Sequence, residues 1–133
     1  MNKLFYLIYN SYYKDGEYKN DMPNLTVGGI FIVFFCSLFL SGVLLISKLY
    51  PTSKHESENK IWLILLILLS SLFTFIRFFY KKKYQQIYNQ HKSNSALNSF
   101  TGKVIGFTIV ILGIISPILC SFLANKLING RWF

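Results

Sequence analysis

Residues 22–47 read MPNLTVGGIFIVFFCSLFLSGVLLIS and contain no charged side chain in 26 positions. An α-helix rises about 1.5 Å per residue, so this run is long enough to cross a hydrocarbon layer about 30 Å thick. The core of a soluble protein would instead space its apolar residues at the period of a helix or a strand. The run therefore predicts a transmembrane helix over residues 25–49.

Two more segments have the length and composition of membrane crossings. The second is interrupted only by Arg77 near its end, where a long side chain can reach the headgroups while its stem stays in lipid. The third contains no charged residue. Only 14% of the 133 residues are charged, whereas about a quarter are charged in soluble domains. We predict an all-α integral membrane protein with three transmembrane helices, at residues 25–49, 61–80 and 104–125.

The N-terminal segment carries a shorter apolar pattern. Its large apolar and aromatic residues are spaced by one, three and four, as on one face of a helix. With tyrosine hydroxyls directed to water, this pattern is typical of an amphipathic helix in the membrane interface. The stretch is too short for a signal-peptide core and no small-residue cleavage site follows, so we expect it to be retained. The predicted organisation is an interfacial segment (residues 1–24) and a three-helix transmembrane domain (residues 25–133).

The connection between the second and third crossings is basic. Together with Arg77 at the end of the second crossing, it contains six Lys or Arg residues and no Asp or Glu, and cytoplasmic loops of membrane proteins retain basic residues. With the N-terminal segment on the same side, nine basic residues are cytoplasmic and five are outside. We predict a multi-pass inner (plasma) membrane protein with a cytoplasmic N-terminus, a cytoplasmic basic helix and loop over residues 81–103, and an outer C-terminus. The six residues are Arg77, Lys81, Lys82, Lys83, Lys92 and Lys103.

Residues 78–92, FFYKKKYQQIYNQHK, allow two interpretations. Lysines between aromatic residues can form a nucleic-acid surface, but the apolar flank favours the end of a membrane helix, and we expect no duplex nucleic acid as a partner. The formal net charge of +9 likewise favours anionic partners, of which lipid headgroups are the simplest.

A helix that continues past Tyr80 would place four residues on one stripe: Tyr84, Ile87, Tyr88 and His91. We expect the lysines to contact headgroup phosphates and the stripe to pack on the N-terminal helix or on a neighbouring chain. The alternative is a regulatory site in which lysines and tyrosines hold a phosphorylated ligand. The candidate residues for a lipid headgroup or ligand are Arg77, Lys81, Lys82, Lys83, Tyr84, Tyr88 and Lys92.

The third crossing carries a small-residue face that begins with a GxxxG pair. Small side chains let the backbones of two membrane helices approach closely, so we expect this face to be buried against protein. Its partner is either the first crossing of the same chain or the third crossing of another copy. A proline in this face should kink the helix, either to give it shape or as a hinge for gating. The small-residue face consists of Gly102, Gly106, Gly113, Pro117, Cys120 and Ala124.

Groups that carry chemistry are scarce. No Asp, Glu, Lys or His lies at mid-membrane depth, which argues against an ion-coupled transporter. There is no paired carboxylate, HExxH, glycine-rich phosphate loop or CxxC motif, so we predict that the chain is not an enzyme and uses no cofactor or metal. Cys36 and Cys120 lie in apolar runs, where a thiol behaves as a small hydrophobic group.

The layout resembles the small transmembrane effectors of bacterial anti-phage defence systems, with a few crossings, little outside the membrane and a cationic inner face, here KKKYQQIYNQHK. Our first hypothesis is a homo-oligomeric pore-forming or membrane-depolarising effector, regulated by a protein or phosphorylated ligand at its basic cytoplasmic face. Three crossings are too few to surround an ion channel, so several copies would have to assemble. The alternative is a non-catalytic accessory or assembly subunit of a larger membrane complex.

Overall fold

A computed structural model of the protein describes residues 1–14, 17–18, 23–49 and 59–130. These residues confirm the all-α prediction, apart from one ladder of two short strands. Three helical stretches are long and apolar enough to cross a membrane, Asn24–Ser47, Ile61–His91 and Phe100–Leu127, which confirms the predicted number of spans. The second stretch includes a break in the helix at Lys81 and Lys82, and the part before the break is called the second span below. In chain order the elements are α1 (Asn2–Tyr12), β1 (Tyr13–Lys14), β2 (Glu17–Tyr18), α2 (Pro23–Leu49), α3 (Asn59–Thr74), a π-helical segment (Phe75–Phe79), a 3₁₀ segment (Tyr80–Lys82), α4 (Lys83–His91), α5 (Ser95–Asn98) and α6 (Phe100–Asn129).

The two strands follow α1 directly and form an antiparallel pair in which Tyr13 lies opposite Tyr18. Asp15 and Gly16, between the two strands, lie outside the described residues. So do residues 50–58 and 131–133, which hold most of the predicted outer loop and the predicted outer end of the chain.

The three spans lie in a row with α2 in the middle. Helix α2 packs against α6 along much of its length and against α3, whereas α3 and α6 barely touch each other within the described residues. The α2–α3 contact includes Phe73, whose ring lies edge-on to Phe35 with 4.8 Å between centroids. A row leaves most of the outer surface of α3 and α6 uncovered by protein, and that surface is rich in leucine and isoleucine.

The small-residue face packs inside the chain. The Phe34 ring of α2 lies directly over Gly113, and a Cβ added to Gly106 would lie 2.9 Å from Leu7 Cδ1 of α1. Gly102 lies beside the backbone of Ala96 and Leu97, around α5. Of the two partners that the sequence left open, the structure therefore places the first crossing of the same chain, together with α1, against this face.

The rest of the small-residue face lies further along α6. Ala124 is buried, whereas Pro117 and Cys120 are partly covered. The burial of the face thus extends to the far end of the helix but is incomplete in its middle.

Helix α6 continues through Pro117 because a serine replaces the missing donor. Proline has no N–H for the carbonyl four residues back, which here belongs to Gly113. The Ser116 hydroxyl lies 2.7 Å from that carbonyl oxygen and donates to it. The Ser41 hydroxyl of α2 lies 2.7 Å from the Ser116 hydroxyl, which adds a polar link between the two spans. The predicted kink at Pro117 and its role as a gating hinge both stay predictions.

The predicted uninterrupted helix past Tyr80 is wrong. The chain passes from the π-helical segment into two consecutive left-handed lysines, Lys81 with φ 53° and Lys82 with φ 56°, and α4 begins anew at Lys83. A left-handed conformation costs a non-glycine residue roughly 1–2 kcal/mol. The break turns α4 away from the axis of α3, and α4 packs on α1 instead.

Helix α1 forms the centre of the protein core at this end of the molecule. Phe5, Tyr6 and Ile8 are fully buried. The Phe5 ring stacks on Phe78 with centroids 4.3 Å apart and lies 5.5 Å from Phe31 of α2. The predicted N-terminal helix is therefore present, and its apolar residues are covered by α2, α4 and α6 of the same chain. Its position in the membrane interface stays a prediction.

Candidate functional site

The break between α3 and α4 separates the predicted ligand-binding residues into groups. Arg77 and Lys83 line one cleft, whereas Tyr84 and Tyr88 line another on the opposite side of α4. The remaining three, Lys81, Lys82 and Lys92, are exposed and line neither cleft.

The first cleft, which we name the cationic cleft, is lined by Asn2, Arg77, Lys83, Gln86, Ile87 and Gln90 and has a volume of about 220 Å³. Lys83, Gln86 and Gln90 lie on one face of α4, because their positions differ by three and four. Buried Ile87 packs into the core beneath them. The cleft therefore has an apolar base and a rim of two cations and three amides.

A hydrogen bond to a neutral oxygen holds Arg77 in place, and Lys83 makes a longer contact with another neutral oxygen. Arg77 Nη2 donates to Asn2 Oδ1 at 2.9 Å, which ties the end of α3 to the start of α1. Lys83 Nζ lies 3.5 Å from the backbone oxygen of Ile76. The Arg77 guanidinium also lies 5.8 Å from the centroid of the Phe78 ring. These contacts orient the two side chains and leave their charges uncompensated by the groups that hold them.

The cationic cleft lies where the second span ends. The residues between its two cations are aromatic or basic, with Phe78 buried and Tyr80 exposed. Tyrosine and long basic side chains at a helix end are typical of the level of the lipid headgroups. We therefore expect the cleft to lie at the depth where phosphate groups of lipids occur, and this stays a prediction.

A tyrosine cluster lies on the other side of α4 and consists of Tyr9, Tyr13, Tyr84 and Tyr88. Four of its ring pairs have centroids 5.1 to 6.0 Å apart, the range of packed aromatic pairs. A cleft of about 210 Å³ opens beside it. The predicted tyrosine stripe thus packs on the N-terminal helix of its own chain. Tyr84 and Tyr88 contribute to this packing and lie away from Arg77.

An amide of α5 connects α1 to the end of α4. The Tyr6 hydroxyl donates to Asn98 Oδ1 at 2.7 Å, and Asn10 Nδ2 donates to the same oxygen at 3.1 Å. Asn98 Nδ2 donates in turn to the backbone oxygen of Lys92 at 2.8 Å. Burial raises the pKa of the Tyr6 phenol above its ordinary value of 10.0, and the hydrogen bond to Asn98 partly offsets this rise.

We predict that the free energy of unfolding falls at alkaline pH because of Tyr6. The folded state holds the phenol proton more tightly than the unfolded state, so this contribution is complete below pH 10 and is lost as pH rises through the folded pKa. Unfolding midpoints of the purified protein between pH 8 and about 11 would measure it. Tyr6→Phe should make the fall shallower by up to about 1.4 kcal/mol per pH unit. Tyr80→Phe, at an exposed position, is the control; equal slopes for both variants would contradict the prediction.

Sequence reasoning missed the amides of the cationic cleft. Gln86 and Gln90 are four positions apart and follow Lys83 by three and seven. This spacing predicts a stripe of side-chain donors on one face of α4, beside the apolar stripe. The position of Asn2 was not readable, because it depends on how α1 docks. Within the described ranges, no group of three or more His, Cys, Asp or Glu residues could hold a metal ion.

Comparison of the chain with protein-family models, curated proteins and solved structures finds no match. The arrangement of residues is therefore the basis for the function proposed below.

Proposed function

We propose that the protein is a non-catalytic accessory subunit of a larger membrane assembly. The observation that carries this proposal is that other parts of the chain cover only some sides of its three spans. Their small and hydroxyl-bearing residues are largely used between or within the helices of the chain. The surface that remains is apolar and is suited to lipid or to the transmembrane helix of another protein.

The exposed side of α3 is one such surface. Helix α3 has one neighbouring span, α2, and its hydroxyl residues Ser70 and Thr74 are fully buried. The rest of its circumference presents large apolar side chains, as at Leu68, which is 59% exposed. Membrane helices associate through van der Waals packing of their side chains, which requires a partner helix of matching shape. The exposed residues of α3 are Ile61, Trp62, Leu63, Ile64, Leu65, Ile67, Leu68, Leu69, Leu72 and Phe73.

The pore-forming effector, with its resemblance to anti-phage proteins, stays a prediction with less support. A pore built from several copies needs a polar surface on each copy, but the span hydroxyls mostly bond to carbonyls of their own helix. Ser71 donates to Ile67 and Thr108 donates to Val104, each four residues back. The small-residue face, which could have joined copies, is occupied by α1 and α2.

Mild extraction and conductance separate the two functions. We expect the tagged chain, extracted in a gentle detergent, to carry a larger membrane protein in fixed stoichiometry. Liposomes that contain the purified chain alone should not leak potassium. Leakage would favour the effector, and the absence of a partner after gentle extraction would contradict the accessory role.

A matched pair of variants locates the partner surface. Leu68→Trp on the exposed side of α3 should reduce recovery of the partner by about tenfold, because added bulk disrupts a packed contact. Leu119→Trp, at an exposed position of α6, should have little effect. Equal recovery with both variants would exclude α3 as the contact.

A further inference from the structure

We propose that the cationic cleft is a specific binding site for a phosphate group. Arg77 and Lys83 supply two positive charges, and the side-chain amides of Asn2, Gln86 and Gln90 line the same space. Asn2 Oδ1 already accepts from Arg77, so its amide nitrogen remains as a donor. Cations and neutral N–H donors around one cleft match the oxygens of a phosphate, which accept several hydrogen bonds.

The break in the helix is what brings the two cations together. In a continuous α-helix, residues six positions apart are separated by about 9 Å along the axis and lie on different faces. The left-handed backbone at Lys81 and Lys82 instead turns α4, so that Lys83 reaches back to the carbonyl of Ile76 and shares a cleft with Arg77. The convergence of these side chains thus depends on a strained turn.

This arrangement combines backbone strain with positive charge. Two non-glycine residues are held in a left-handed conformation, and two like charges line one cleft. Strain of this kind collects at ligand-binding sites, where the surrounding fold maintains it. The fold does so here through the Arg77–Asn2 hydrogen bond and the stack of Phe78 on Phe5. The site is therefore held ready for a ligand that neutralises the charges.

The size and depth of the cleft define the ligand class. About 220 Å³ is the space of several water molecules at about 30 Å³ each, enough for a phosphate group and part of the group that it esterifies. We expect the end of the second span to lie at headgroup depth, where both lipid headgroups and soluble molecules can reach the cleft. The phosphate belongs either to an anionic lipid or to a soluble phosphorylated molecule. This inference does not depend on the accessory role.

Two titrations distinguish the sources. In the first, the full chain in mild detergent is titrated with phosphatidylglycerol or phosphatidylcholine, and retained lipid is read by native mass spectrometry. In the second, the chain in phosphatidylcholine nanodiscs is titrated with inorganic phosphate or pyrophosphate, and the unfolding midpoint is followed. A preference of about tenfold for phosphatidylglycerol assigns the site to lipid, and a rise in midpoint with pyrophosphate assigns it to a soluble ligand.

Two glutamines of α4 give a matched pair of variants. Gln86→Glu places a carboxylate in the cationic cleft and should weaken binding of the responding probe by about tenfold. Gln85→Glu makes the same charge change one residue away, beside the tyrosine cluster, and should change binding less than about twofold. Both side chains are exposed, so we expect both variants to fold. Lys83→Gln is a second test that keeps the cleft free of negative charge.

Two results would overturn the proposal. One is the absence of any preference in both titrations. The other is an equal loss of binding in Gln86→Glu and Gln85→Glu, which would show that general surface charge attracts the probe. Recovery of a membrane partner should be unchanged in Gln86→Glu, so failure of this inference is distinguishable from failure of the accessory role.

Discussion

Replacing Phe5 by alanine is expected to lower the free energy of unfolding by about 3–5 kcal/mol, the usual cost of removing a fully buried aromatic ring. Phe5 has no exposed surface, stacks on Phe78 at 4.3 Å and contacts the rings of Phe31 and Tyr9. Its loss would leave a cavity where α1, α2 and the end of the second span meet. Chemical unfolding of the purified protein in detergent would measure the change.

Phe100→Ala is the control for this substitution. Phe100 begins α6 and is 83% exposed, so truncating it removes little packing and should cost less than about 0.5 kcal/mol. The Phe5→Ala protein should also become more sensitive to proteolysis in α1, because that helix loses its central contact. Equal stability of the two variants would show that α1 is not held in place by the aromatic contacts of Phe5.

Replacing Gly113 by alanine is expected to destabilise the protein by about 1–3 kcal/mol, although alanine is the better helix former. A methyl group at this position would overlap the ring of Phe34, which is itself buried between α2 and α6. The two spans would have to separate or the ring would have to leave its position. The unfolding midpoint in detergent is the measurement.

Gly42→Ala is the matched control, since it makes the same change in another span. Apart from its chain neighbours and the nearby backbone of its own helix, no atom of the described residues lies within 4 Å of a Cβ added to Gly42. The helix preference should therefore dominate, and it favours alanine by up to about 1 kcal/mol. The two substitutions should therefore shift stability in opposite directions. A stabilising effect of Gly113→Ala would mean that α2 and α6 pack less closely than the structure shows.

The three spans were predictable because charge is costly in lipid, and soluble domains rarely contain so long a run without a charged residue. The break after the second span was not predictable. Left-handed backbone is usually signalled by glycine or asparagine, and here it occurs at Lys81 and Lys82, where tertiary contacts override local preference. The stripe of Tyr84 and Tyr88 was predictable from its helical period. The side of α1 that covers this stripe was not, because it depends on how α1 docks.

The candidate site was predictable in part. Arg77 and Lys83 were identified as cations near the headgroups, but a straight helix would have placed them on different faces. Asn2, Gln86 and Gln90 join them only because α4 turns back and α1 docks beside it. Amides carry no charge signal in a sequence, so their role appears only when the fold brings them to a cation.

The docking of α1 on α6 has a consequence for biosynthesis. Leu7 packs on Gly106, which follows it by 99 positions, and Tyr6 bonds to Asn98. Ribosomes add about 5–20 residues per second, so α1 is made several seconds before the part of its binding surface that lies on α6. We expect it to remain undocked while the spans insert and to dock only once α6 is in place. A chain arrested before α6 would keep apolar surface of α1 open to chaperones and proteases, so quality control could distinguish incomplete insertion from complete insertion.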